Sequence, residues 1–130
     1  MSPDDRWLTG YLEDLRDAGD IVAMVVAETD PEKYANSPTG SLALERAVSN
    51  SGEAANRLRA EDRQRGPGFE AQHPELELSD AIKTRAVLVH NYDGIDRHVL
   101  WKAATTDVAR VTDEADVLLR ELGGSQGLER

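Results

Sequence analysis

Cysteine is absent from the 130-residue chain. That excludes disulfides and thiolate metal sites and points to a reducing compartment. Long apolar runs are absent as well, and no stretch approaches the roughly 18 residues a membrane-spanning helix needs. The N-terminus, Met1-Ser2-Pro3-Asp4-Asp5, is acidic where a secretory signal needs positive charge. A cytoplasmic protein is the expectation. Basic residues are scarce too, with 15 Lys and Arg against 25 Asp and Glu, a formal charge of −10. Such a balance argues against a nucleic-acid binder when only the sum is considered. Its distribution is uneven. Residues 1–32 carry Arg6 and Arg16 against nine acids, whereas residues 81–110 are net positive. There Lys83, Arg85, Arg97, Lys102 and Arg110 face Asp93, Asp96 and Asp107. Fluctuation in a small count would produce the same pattern.

What the chain does have is helical periodicity, in four segments, with no sustained strand alternation. The first runs from about Asp4 to Glu28, with Leu8, Leu12, Leu15, Ile21 or Val22, and Val25 on one stripe. Thr29-Asp30-Pro31 then reads as a stop and restart. The second runs from about Ser41 to Arg63, and Leu44, Val48, Ser51, Ala55 and Leu58 alternate steps of four and three. Gly52 inside it costs roughly 1 kcal/mol relative to Ala, which suggests close approach by another helix. Gly66-Pro67-Gly68 ends that segment. Ser79 is a plausible N-cap for a third helix reaching about His90. Asp96 can cap a fourth, with the stripe Leu100, Ala104, Val108, Val111, Ala115 and Leu118, which Gly123-Gly124 should end near Leu122. The expected fold is all-α, an up-down four-helix bundle with room for an extra short helix. Residues 1–122 form one domain in this reading, and 123–130 a disordered tail.

Leu78, Ile82 and Val89 define the apolar stripe of the third helix, and Arg85 falls in its middle. A guanidinium there is costly unless it is paired or lines a wet cleft. It is either a structural arginine held by a carboxylate or a functional one. His90 follows five residues on, where alone it would serve as a helix-end or surface histidine. Together the two make a fixed cation and a proton-transfer group about one and a half turns apart, able to address one phosphodiester. Tyr92 adds a hydroxyl to the same turn.

Arg85-Ala86-Val87-Leu88-Val89-His90-Asn91-Tyr92 resembles the R-x-x-x-x-H-x-Y motif of HepT toxins within the HEPN superfamily. His73-Pro74-Glu75 ahead of it, and Ile95-Asp96 and Val99-Leu100-Trp101 after it, are similar to the family's surroundings. So is Ser51-Gly52-Glu53-Ala54-Ala55-Asn56 to its I-G-E-A-A segment, and the likeness extends over roughly residues 6–120. The chain departs from the pattern at Ala86, where the family commonly has Asn. It also departs at Leu78, often Trp, and at Ser51, usually apolar.

The resemblance implies a HEPN-like bundle and a metal-independent endoribonuclease with Arg85 and His90 as catalytic residues. It implies a homodimer whose cleft takes the RNA substrate, and no cofactor or metal. The implied partner is a minimal nucleotidyltransferase antitoxin of a type VII toxin–antitoxin system, with Tyr92 the site of AMPylation. The alternative is a non-catalytic HEPN subunit that binds nucleotide or its nucleotidyltransferase partner. His73 and His98 are expected at the surface. Arg57, Arg59, Arg63 and Arg65 could guide RNA, but read better as a solvated face ion-paired with Glu61 and Asp62.

Overall fold

Leu8, Leu12, Leu15 and Val22 lie on one side of α1 (Arg6–Glu28), and all four are buried. Ile21, the other candidate for that stripe, is half exposed. The computed structural model describes residues 6–30, 34, 38–66, 68–90 and 96–127, the side chains of 38, 40, 88–90 and 124–127 excepted. Every described element is helical. After α1 come α2 (Pro38–Arg65), the single turn α3 (Phe69–Gln72) and a 3-10 turn (Pro74–Leu76). Then α4 (Leu78–His90), α5 (Arg97–Lys102), a π-helical turn (Ala103–Asp107) and α6 (Val108–Gly127) follow, the last three forming one continuous run. The expected all-α bundle with an extra short helix is what the chain forms.

The core has two parts that fix the direction of each helix. Leu8, Leu12 and Leu15 meet Ala54, Ala55 and Leu58 of α2 and Val111, Ala115 and Leu118 of α6. At the other end, Val22 meets Leu44, Ala47 and Val48 of α2, with Leu100, Ala104 and Val108. As α1 numbers rise those of α2 and α6 fall, so both run antiparallel to α1. Leu78 of α4 sits with Leu58 in the first part, and α4 crosses α2 antiparallel as well. Burying each such leucine is worth about 1.5–3 kcal/mol, so these stripes carry the fold. Tyr34 closes the second part against Trp101, ring centroids 5.0 Å apart.

The α2–α4 connection is built from charged side chains that turn inward. Gly66 (φ 83°) and Gly68 (φ 75°) take left-handed backbone that favours glycine. Asp62, buried on α2, accepts hydrogen bonds from the N–H groups of Phe69 (2.8 Å) and Glu70 (3.0 Å), capping α3 from seven residues upstream. This corrects the expectation that Asp62 pairs with the arginine run. Backbone donors at a helix start satisfy a buried carboxylate better than an exposed guanidinium does. Arg59 instead donates to Glu70 and to the Ser79 hydroxyl. Arg110 of α6 donates to the Glu75 carbonyl and lies 3.1 Å from Glu77.

Three boundaries differ from the sequence expectation. The second helix starts at Pro38, since proline suits a first turn. Ser79 lies one residue inside α4, because buried Leu78 begins it. The last helix runs through Gly123 and Gly124 to Gly127. Glycine weakens a helix by about 1 kcal/mol per residue but does not forbid it.

Gly19 marks the closest approach of α1 and α6. A Cβ there would fall 1.8 Å from Thr112 Oγ1 and 2.9 Å from Thr112 Cβ, so turning the hydroxyl away would not suffice. Gly19→Ala should therefore cost about 1–3 kcal/mol in urea unfolding through overpacking, although Ala is the better helix former. Adding Thr112→Ala removes the hydroxyl and methyl overlaps but keeps the Cβ contact at 2.9 Å, so it should restore only part of the loss. A Gly19→Ala protein more stable than wild type would show that the helices part freely.

Candidate active site

The site begins with a glycine. A Cβ on Gly52 of α2 would lie 2.5 Å from Arg85 Cβ and 2.8 Å from the Ala81 carbonyl of α4. The expected close approach is there, and the helix it admits is the one carrying Arg85. Beside it, Ser51, Gly52, Ala81, Thr84 and the π turn's Ala103 and Asp107 line a void of only about 10 Å³, about one water's worth.

Arg85 is neither buried nor free. Its side chain is 36% exposed, and Nε lies 3.2 Å from Glu53 Oε2, on the α2 residue next to Gly52. The approach is off the N–H axis, so this buried Nε has no hydrogen-bond acceptor among the described residues. Charge proximity alone joins the pair. With Glu53 32% exposed, it contributes about 0–1 kcal/mol to stability. Arg57, one turn on, donates to the other carboxylate oxygen at 3.3 Å. Two guanidiniums thus flank one carboxylate. Asn50, Glu53, Ala54 and Arg57 of α2 also form a wall of an open groove of about 290 Å³, with Tyr11, Asp14 and Ala18 of α1 opposite.

His90 is the last residue of α4. Its side chain, and all of Tyr92, lie outside the described residues, so Arg85 is the one sequence-predicted site residue whose surroundings are seen. Sequence reasoning missed Glu53 as its partner. The signal available was an acid directly after the glycine that admits the motif helix.

The remaining candidates resolve differently. His98 is exposed, as expected, and Asp96 caps α5 through the N–H groups of His98 and Val99. His73 is not a free surface group. It stacks on Phe69 with centroids 4.6 Å apart, and its Nδ1 lies 2.9 Å from Glu75. Glu75 is held below the ordinary carboxylate range, by its own backbone N–H first and His73 second. In the basic run, Arg65 bonds Glu61 and covers the Trp7 ring at 5.2 Å, while Arg63 is exposed. No cluster of three or more metal-ligating side chains occurs among the described residues. Nor is any described helix long and apolar enough to cross a membrane.

A helical bundle that presents an arginine five residues before a helix-terminal histidine defines a class of domain. Comparison supplies the family: the model described as "Ribonuclease HepT-like" matches residues 11–118, and the chain belongs to that family. It is similar to "Probable ribonuclease HepT" of Thermococcus cleftensis, 29% identical over 75% of this chain and 83% of that one. It is also similar to "Putative RNase MJ1380" of Methanocaldococcus jannaschii, 24% identical over 87% of this chain and 97% of that one. No solved structure matches the chain.

The Gly52 contact gives a direct test. The Ala81 carbonyl is backbone and cannot move aside alone, so Gly52→Ala must push α4 away from α2. We expect a loss of about 1–3 kcal/mol in urea unfolding. An unchanged midpoint would mean that the helices separate without cost.

Proposed function

We propose that the protein is a metal-independent endoribonuclease, the HepT-like toxin of a type VII toxin–antitoxin pair, acting in the cytoplasm. The observation that carries this is a partly exposed Arg85, held by charge at the α2–α4 crossing, on the helix that ends at His90. Family membership over residues 11–118 supports it.

The chemistry follows from the residue types. The 2′-oxygen of one ribose attacks the adjacent phosphorus, forming the O2′–P bond as the P–O5′ bond breaks. Arg85 stabilises charge on the non-bridging oxygens. His90 moves a proton, to the leaving O5′ or from the attacking hydroxyl. One imidazole cannot be acid and base in the same step. A homodimer supplying a second His90 across a shared cleft completes the pair.

Tyr92 is the off switch in this reading. AMP attached to its hydroxyl by a minimal nucleotidyltransferase antitoxin would set bulk and negative charge beside the phosphate site. The second reading, a non-catalytic HEPN subunit that binds nucleotide or that partner, is favoured by the net charge of −10 and by Ala86 after the motif arginine.

One assay separates the two. Wild type should cleave a labelled RNA in excess EDTA and leave a 2′,3′-cyclic phosphate. Arg85→Ala and His90→Ala should each lose about 10³-fold or more, with the double variant little worse, because members of one catalytic unit do not add. Tyr92→Phe should cleave normally and escape neutralisation by the nucleotidyltransferase with ATP. Undiminished cleavage by His90→Ala would end the mechanism. An inactive wild type would favour the non-catalytic subunit.

A further inference from the structure

The Arg85 guanidinium needs a fixed direction, because a cation that stabilises a transition state works only if it is aimed before the reaction. Gly52 fixes the root of the side chain, leaving no room beside Arg85 Cβ. What remains free is the far end, and there Glu53 Oε2 lies 3.2 Å from Nε. Root and tip are thus set by adjacent residues of one rigid helix. Glu53 is itself steadied from the other side by Arg57.

We propose that Glu53 is a positioning residue that aims Arg85 at the scissile phosphate. This rests on the ribonuclease reading above, and goes beyond it in assigning a role to a carboxylate. Glu53 turns the Nε edge inward and leaves the two terminal nitrogens for substrate. No hydrogen bond of theirs to a described residue competes.

Simple electrostatics makes the opposite forecast, which gives the idea its edge. A carboxylate beside a phosphate site repels RNA, so removing its charge should tighten binding. If Glu53 were a bystander, Glu53→Gln would bind RNA better and cleave at least as fast. If Glu53 aims Arg85, Glu53→Gln lowers kcat even though binding holds or improves.

The experiment measures kcat and KM on a labelled RNA for wild type and Glu53→Gln, with melting temperatures and the Arg85 Nε–H signal by NMR. Expected for Glu53→Gln are a kcat about 10²-fold lower, the usual scale for a misaimed catalytic group, and a KM equal or lower. The melting temperature should hold, while the Arg85 Nε–H signal shifts and broadens as the side chain loses its fixed orientation. An unchanged kcat, a defect confined to KM, or an unaltered Nε–H signal would each overturn the proposal. So would loss, in Glu53→Gln, of a limb of the kcat pH profile that wild type shows, which would make Glu53 a proton-transfer group instead. Should wild type cut no RNA, the ribonuclease reading fails by itself, and the Nε–H signal still decides whether Glu53 orients Arg85.

Discussion

Where α2 and α4 cross at Gly52, the backbone of one helix meets the root of a side chain on the other with nothing between them. A hydrogen atom in place of a methyl group permits that distance. Several other features depend on it. It brings Glu53 within 3.2 Å of Arg85, and it leaves almost no void between α2, α4 and the π turn. It also lets an arginine occupy the middle of an apolar stripe without being buried. Packed interiors yield little to a misplaced atom, so the crossing converts one residue choice into the placement of a cation.

The second constraint is charge. An acidic protein that addresses a polyanion must confine its positive potential to a small area. Here two guanidiniums flank a single carboxylate at the α2–α4 surface. Asp14 of α1 lies opposite across the groove. Within a Debye length of about 8 Å, local sign matters more than the sum over the chain. A net charge of −10 is therefore compatible with a phosphate-directed arginine, while discouraging loose adhesion of nucleic acid elsewhere.

Much of the fold was legible because burial follows period. Leu44, Val48, Ser51, Ala55 and Leu58 are all buried as their steps of four and three require, even the polar Ser51. Val22 stands seven residues beyond Leu15 and continues its stripe, whereas Ile21 is turned about 120° away; Val22 is buried and Ile21 half exposed accordingly. Of the candidate site's motif the structure describes only the surroundings of Arg85, and what supports Arg85 was not legible in the sequence. Glu53 and Arg85 stand far apart in the chain, and no local rule joins them. The inward turn of Asp62 was hidden for a similar reason, because its partners are backbone groups of α3 rather than side chains of its own helix.

The π turn at Ala103–Asp107 follows from a detail of that periodicity. From Leu100 to Ala104 to Val108 the stripe takes two successive steps of four, which an α-helix would rotate about 80° out of line. Widening one turn absorbs the surplus, and Leu100, Ala104 and Val108 all remain buried. Thr105 and Thr106 hydroxyls donate to the carbonyls of Trp101 and Lys102, occupying acceptors as the ladder shifts from i+4 to i+5. The turn thus acts as a phase joint between the two parts of the core. Upstream, Leu100 is in step with Val22 and Leu44; downstream, Val111, Ala115 and Leu118 are in step with Leu8 and Leu12. A helix with such a joint can gain or lose one residue there while both ends keep their packing.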